Sequence, residues 1–534
     1  MSDSPFTTVA TLTRRKLPLG IQNLREIRED NYYYVDKTGI ATQLVDQGKY
    51  YFLSRPRRFG KSLFLDTLKE LFEGNAKLFQ GLAAESRWNW GVKYPVIWIS
   101  FSDGVLQSRE QLDQRIRDIL RVKRVDLNLP LPPGLPDTDI AGNFADLIRQ
   151  AHQKHGQRAV VLIDEYDKPI LDNITNTPVA TDMREGLKNL YSVLKGSDAH
   201  LKFVFLTGVS KFSKVSLFSG LNNLQDITLD ARYSTICGYT DHDMDTVFAP
   251  ELPGLDRQEI RNWYNGYNWL GDSVYNPYDA LLLFSTRTFK AHWFETGTPT
   301  FLVKLLAERP NIIPRLGQAM ADNDLLSTFD VDVIPPEALM FQSGYLTIDR
   351  QEMHGPDIYY RLCYPNREVR QGLHNRLLDA LGSERSQKLQ NRIQLYDLLH
   401  ANDLAGLKGL FHAFYASIPH QWYTNNPMAQ FEGFYSSIFY SYFAALGLNI
   451  TTEDSTNLGR IDMAVQFEGR IYLFEFKVVE LVPEGKALQQ LKDKNYADKY
   501  KAANQPIYLI GVEFSQKTRN IVGFEVEQVR QHYC

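Results

Sequence analysis

Five short apolar runs punctuate the first half of the chain, at 50–54 (YYFLS), 96–101 (VIWISF), 159–163 (AVVLI), 203–207 (FVFLT) and 227–229. They are rich in β-branched or aromatic residues, and helical patterns lie between them. After the first run, Phe64, Leu65, Leu68, Leu71 and Phe72 recur at the helical period and form one side of an amphipathic helix. Continuous apolar runs alternating with helices predict buried parallel strands, hence a doubly wound α/β sheet over residues 15–240. From 240 to 420 the texture is mostly helical, with a hairpin predicted where FQSGYLTI meets YYRLCYPN. Beyond about 425, a long aromatic helix (431–446) leads into strands at 460–467 and 471–478. A helix at 486–500 and strands near 506–513 and 521–526 follow, which predicts a second compact α/β unit.

A chain of 534 residues is too long for one hydrophobic core, so several domains are expected. The 43 % hydrophobic and 23 % charged residues are ordinary globular usage. A formal net charge of -4 excludes a protein that coats nucleic acid through global charge, but it allows a local basic groove. Cys237, Cys363 and Cys534 are scattered, which argues against a disulfide framework or a cysteine-based metal site. The opening MSDSPFTTVATLTRRKLPLG has its basic residues after the weakly apolar stretch, the wrong order for a signal peptide. No run approaches the roughly 20 apolar residues that span a bilayer. A cytoplasmic protein with no membrane association is expected. There is no repeat with a solenoid period, and PLPPGLP (130–136) reads as a surface loop.

The first candidate chemistry lies in YYFLSRPRRFGKSLFLDTLKELF, a strand, a loop and then the amphipathic helix. Gly60, Lys61 and Ser62 stand where the helix begins, where backbone N–H groups lack intrahelical partners and the dipole favours anions. Lys61 is expected to reach the β/γ-phosphates of a nucleotide and Ser62 to ligate Mg²⁺. Arg57, Arg58 and Phe59 complete the loop that would cradle the phosphates. Arg55 occupies the position of the first glycine in GxxxxGK[ST], so only half of that pattern is present. The run AVVLIDEYDKP supplies the acids that such a site requires. Asp164 would hold the metal, and Glu165 would polarise an attacking water. Thr207, at the end of the next strand, is either a γ-phosphate sensor or a satisfied strand threonine. Asp167 has no clear role. DEYD as a merely solvated acidic turn is the competing reading.

LPLGIQNLREIREDNYYYVDKTG, FLSRPRRFGKSLFLDTLKELFEG, LIDEYDKPI and FLTGVSKFSKVSLFSGLNNLQDITLD together resemble the AAA-ATPase-like family fused to PD-(D/E)XK nuclease domains, common in bacteria. The resemblance implies ATP and Mg²⁺ as cofactors, and an arginine at the first-glycine position belongs to its pattern. Asp36 and Lys37 lie in its first stretch, as a structural ion pair or a nucleotide contact. WYNGYNW (263–269), VYNPYD (274–279) and FETGTPTFLVKLL (294–306) continue the resemblance into a helical lid and winged-helix-like region, with the hairpin as its wing. The expected domains are 1–240 (ATPase), 241–375 (lid and winged helix), 376–424 (helical linker) and 425–534.

The second candidate site is GRIDMAVQFEGRIYLFEFKVVE, two strands joined by a tight turn. Glu475 and Lys477 are two residues apart and project from one face of the second strand, with Phe476 on the other. Charges among Tyr472, Leu473, Phe474, Val478 and Val479 are costly to bury unless paired or bound to a metal. Asp462 and Glu475 as Mg²⁺ ligands with Lys477 beside them suit phosphodiester hydrolysis. An exposed edge hairpin with an ordinary Glu–Lys pair is the bland alternative. The pattern Asp462…Glu475-Phe476-Lys477 resembles the PD-(D/E)XK motif over residues 425–530. That resemblance implies Glu432 as the upstream acid and Gln490 as the glutamine of the following helix, with Gln489 as its alternative.

The sequence therefore leads to an ATP-binding protein, expected to be an ATPase, that controls a Mg²⁺-dependent nuclease acting on DNA or RNA. A homo-oligomer is compatible with this reading. The rival is a non-catalytic signalling or scaffold ATPase whose C-terminal domain only binds nucleic acid or protein. No helicase motif or arginine finger supports a translocating motor.

Overall fold

Tyr50–Ser54 forms β1, buried at all five positions, and the apolar runs after it become β2 (Val96–Ser100), β3 (Ala159–Asp164) and β4 (Leu201–Gly208). The computed structural model describes residues 13–132, 134–211, 223–295, 300–327, 335–380, 385–417 and 432–529. Cys534, the 212–222 part of the fourth quoted stretch and residues 296–299 of the 294–306 stretch lie outside these residues, as do 418–431 at the expected linker boundary.

The chain divides into two units. One comprises Met1–His292 and Met320–Asn366, the other Trp293–Ala319 and Arg367–Cys534. The range 241–375, expected to hold the lid and winged-helix-like region, is shared between them. The reason is physical: apolar positions along 293–319, among them Leu302, Leu306, Ile313 and Leu316, are buried, and this stretch packs with the Arg367–Ala380 and Glu432–Ala445 helices.

The first unit adds a two-residue strand β5, Gln225–Asp226, just before the run expected at 227–229. Its sheet runs in the order β2-β3-β4-β1-β5, and all pairings are parallel. Strand β4 lies between β1 and β3, so the loops leaving all three open on one edge of the sheet, the usual place for a ligand in an open α/β sheet. The Lys61–Phe72 helix follows β1, with Phe64, Leu65, Leu68, Leu71 and Phe72 all buried. Burying each such side chain stabilises by roughly 1.5–3 kcal/mol. The helices of 240–290 form a separate apolar cluster with Tyr33 and Val35, built on Phe248, Tyr264, Tyr275 and Phe284. A short strand β6 (Met320–Asp322) precedes the expected hairpin, which is present as β7 (Thr347–His354) and β8 (Asp357–Cys363). Strand β6 pairs with the free side of β8.

The second unit holds β9 (Asn449–Ser455), β10 (Arg460–Phe467), β11 (Arg470–Val479), β12 (Ile507–Ser515) and β13 (Asn520–Gln528). Their order in the sheet is β13-β12-β11-β10-β9. The pair β11–β12 is parallel and the other pairs are antiparallel. Glu468 and Gly469 join β10 to β11, both with positive φ (45° and 72°), as a two-residue type I′ hairpin requires. One face of the sheet carries Ile471 and Leu473 against Leu491 and Tyr496. On the other, Phe474 and Phe476 pack on Phe439 of the Glu432–Ala445 helix. The helix expected at 486–500 ends at Asp493 and resumes as a 3-10 turn after Asn495, whose φ of 46° interrupts it. Among the described residues no helix is long and apolar enough to cross a membrane.

Candidate active sites

The phosphate-type loop leaves β1 at Ser54 and enters its helix through Gly60. Gly60 has φ 91°, which a side chain would strain, and a Cβ there would meet nothing within 4 Å. The backbone is therefore open to a close-approaching group. Lys61 is almost fully buried and donates to the carbonyls of Arg55 (3.0 Å) and Pro56 (2.9 Å). These bonds use two of its three ammonium protons, and burial lowers its pKa, opposed by Asp164 and Glu165. A phosphate would supply the charge that this buried ammonium lacks.

Asp164 ends β3 and is buried, which raises its pKa, and the Ser62 side chain nearby opposes that rise. The two expected Mg²⁺-holding groups are therefore neighbours. Glu165 sits at φ 51°, a costly backbone for a non-glycine residue and one often met at functional sites. The Thr207 hydroxyl is buried and has no hydrogen-bond partner among the described residues.

Three residues of the loop behave in distinct ways. Arg57 is exposed. Arg58 is exposed at φ 70°, with its guanidinium 4.8 Å from the ring centre of Tyr278. Phe59, expected among the nucleotide contacts, is buried edge-on against Tyr267 and Trp269, so its side chain serves the core. Arg55 is fully buried at the first-glycine position. It donates to the carbonyls of Ser54, Thr228 and Tyr233 and lies 4.1 Å from the ring centre of Trp269. Its burial lowers the pKa to about 10.

Asp36, Lys37 and Asp167 each make structural contacts. Asp36 accepts from the N–H and hydroxyl of Thr38 and from the N–H of Ala83, while Lys37 pairs with Asp243 at 3.3 Å. Asp167 is buried and accepts from the N–H groups of Val209 and Ser210 and from the Ser210 hydroxyl, fixing the turn after β4.

In the second unit, Met463 of β10 pairs with Phe474 of β11. One residue further on, the Asp462 carboxylate accepts the Phe476 N–H at 2.8 Å. Lys477 donates to Glu475 at 2.9 Å and to the Phe476 carbonyl at 2.9 Å, and its ammonium lies 3.8 Å from Glu432. The Gln490 amide donates to the same Glu475 oxygen, Oε1. Gln489 bonds instead to exposed Asp493. Asp462, Glu475, Lys477, Glu432 and Gln490 are therefore gathered at one place. Burial and then the Asp462 charge push the Glu475 carboxyl up to about 7, with Lys477 opposing. Burial likewise raises Asp462 and Glu432.

Glu475 has a second oxygen, Oε2, that is buried and has no hydrogen-bond partner among the described residues. An orphaned carboxylate oxygen beside a second carboxylate suits a divalent cation. Among the described residues no three His, Cys, Asp or Glu side chains close into a cage.

Sequence reasoning missed Glu453 and Glu513. Glu453 lies on β9 opposite Asp462, since Ile461 pairs with Asp454 and Met463 with Thr452. Glu513 of β12 is buried and accepts the N–H groups of Glu484, Gly485, Lys486 and Ala487, holding the start of the helix that carries Gln490. An isolated glutamate in the apolar run IYLIGVEFS was the available signal for it.

Both candidate sites fall within stretches that match known families. Residues 18–218 match the family described as Predicted AAA-ATPase, and residues 430–524 match the PD-(D/E)XK nuclease superfamily. The two matches support ATPase and nuclease functions in general terms. An uncharacterized protein in the vnfD 5' region of Azotobacter chroococcum mcd 1 is 59 % identical over 519 residues, covering 97 % of this chain and 100 % of that one. The chain belongs to the same family as that protein, AAA-ATPase-like proteins with a C-terminal domain of the PD-(D/E)XK nuclease superfamily.

Proposed function

We propose that the chain is an ATP-binding protein, with ATPase activity, that controls a Mg²⁺-dependent phosphodiesterase acting on nucleic acid. One observation carries the cleavage half: the buried Oε2 of Glu475 beside Asp462, without a hydrogen-bond partner among the described residues. Burying a carboxylate oxygen without a partner is costly, and a bound cation would offset that cost. Mg²⁺ held by Asp462 and Glu475 would neutralise the scissile phosphate and acidify a water. Gln490 and Lys477 occupy Oε1 of Glu475 and so leave Oε2 to the metal. Lys477, steadied by Glu432, orients the attacking water or stabilises charge on the phosphate.

In the first unit, Lys61 contacts the β/γ-phosphates, and Ser62 and Asp164 hold Mg²⁺. Glu165 polarises the attacking water and Thr207 senses the γ-phosphate, while Arg57, Arg58 and the backbone of 59–60 line the loop. Control of one unit by the other is supported by connectivity. The chain passes between the units after His292, Ala319 and Asn366, so the first unit is tied to three points of the second. The reading takes the protein to be cytoplasmic, with DNA or RNA as substrate and self-association allowed.

Incubation of the full chain with DNA and RNA, in Mg²⁺ or in EDTA, tests the reading. Mg²⁺-dependent cleavage that Lys477→Ala abolishes supports it. Nucleic-acid binding with no cleavage under any condition favours the scaffold alternative.

A further inference from the structure

The segment Pro310–Gln318 comes from a stretch bounded at both ends by the first unit, yet it lies beside the cleavage site of the second. Ile313 and Leu316 are buried, and two hydrogen bonds fasten the segment to Thr452 of β9: Gln318 donates to its carbonyl at 2.6 Å, and its hydroxyl donates to the Pro314 carbonyl at 2.5 Å. Arg315 then donates to Glu453 through Nε (3.2 Å) and Nη2 (3.0 Å). Arg460, two residues before Asp462, approaches the other oxygen of Glu453 at 3.4 Å.

Two features set this cluster apart from a decorative surface pair. Glu453 sits at φ 48°, a left-handed backbone inside a strand, directly opposite Asp462. Both guanidinium groups are also far out in solvent, with side-chain exposures of 69 % for Arg315 and 65 % for Arg460. Exposed ion pairs add little to stability, less than such backbone strain costs. Two arginines sharing one carboxylate leave a net positive charge at the rim of the Asp462 site, where a phosphodiester backbone must pass.

We propose that Arg315, with Arg460, grips a backbone phosphate of the nucleic-acid substrate beside Asp462, and that Glu453 holds the two arginines in place until the phosphate displaces it. The inference rests on the cleavage reading of the same site and adds the contact that captures substrate. It also explains the path of segment 293–319. Both ends of that segment join the ATPase unit, which thereby has a covalent hold on a substrate-binding residue.

The test uses the full chain and short labelled oligonucleotides, single- and double-stranded, of DNA and of RNA. Affinity is measured in EDTA over a range of KCl concentrations. Arg315→Gln is expected to weaken binding about tenfold and to reduce the slope of log affinity against log salt by roughly 0.7–0.9. Arg315→Lys should restore the slope, and Glu453→Gln should tighten binding by releasing the arginines. In Mg²⁺ assays Arg315→Gln should raise KM far more than it lowers kcat. Unchanged affinity and slope in Arg315→Gln, while wild type cleaves and Lys477→Ala does not, would overturn this inference and leave the cleavage reading standing. A binding loss that comes with a lowered melting temperature and that lysine fails to rescue would also overturn it, since that marks a structural arginine. A wild type that neither binds nor cuts any of these substrates overturns both.

Discussion

The Lys477 ammonium donates to Glu475 at 2.9 Å, although the two side chains leave the same face of β11 only two residues apart. Glu475 is buried and Lys477 partly exposed, so the lysine is the inner carboxylate's principal counter-charge. Lys477→Ala should raise the Glu475 pKa further and abolish Mg²⁺-dependent cleavage, with ATP affinity unchanged. Isothermal titration with ATP, run beside a cleavage assay, checks both halves. Cleavage surviving in Lys477→Ala would mean that the site lies elsewhere.

Glu475 also sets a pH dependence. Its folded-state pKa, about 7, lies above the usual glutamate value because burial and Asp462 oppose its charge. The folded state therefore binds this proton more tightly than the unfolded state does. The stability it contributes is fully present below about pH 4 and is lost as pH rises through 7. In metal-free protein, Glu475→Gln should melt at a higher temperature than wild type at pH 8, by the equivalent of about 1–3 kcal/mol, and the gap should close near pH 5. Added Mg²⁺ should stabilise wild type at pH 8 and leave the variant unmoved. A gap that instead widens toward pH 5 would contradict the assignment.

In the ATPase unit, Lys61→Ala should weaken ATP binding by roughly tenfold to a hundredfold through loss of a charge-assisted contact. Glu165→Gln should bind ATP normally but hydrolyse it slowly. Calorimetry and phosphate release measure the two effects separately, and equal affinity in wild type and Lys61→Ala would remove the nucleotide site.

Asp167 offers a structural control. Its bonds from two N–H groups and one hydroxyl of Val209 and Ser210 hold the turn that follows Thr207. Asp167→Ala strands a buried N–H and hydroxyl of Ser210 and the half-buried N–H of Val209, and should destabilise the first unit by about 3 kcal/mol. A melting temperature within a degree of wild type would show that the turn is held by other means.

Much of this was legible in the sequence because it is local. The apolar run YYFLS became β1 with its predicted bounds. The pattern D…EFK placed two charges on one strand face because side-chain alternation depends on nothing distant. What remained hidden depended on packing partners far along the chain. Strand β9 reads NITTEDS, polar and without alternation, because it is a sheet-edge strand on which only Thr452 and Asp454 are buried. Glu453 went unseen with it. The 293–319 stretch gives a helical pattern but no sign of which unit buries it. Gln489 and Gln490 are equivalent by composition, and only the turn of the helix toward Glu475 separates them. Phe59 reads as a loop contact in the sequence, whereas its burial depends on Tyr267 and Trp269, over two hundred residues away.

The central claim is that nucleotide binding in one unit controls cutting in the other, and cleavage rate with and without ATP measures it directly. Wild type, Lys61→Ala and Lys477→Ala are compared on one substrate at constant free Mg²⁺. A coupling of about 1–3 kcal/mol predicts that ATP changes the wild-type rate by roughly 5–150-fold. Lys61→Ala should cut at a rate indifferent to ATP, and Lys477→Ala should not cut at all. A wild-type rate that is the same with and without ATP, in protein shown to bind ATP, would contradict the account.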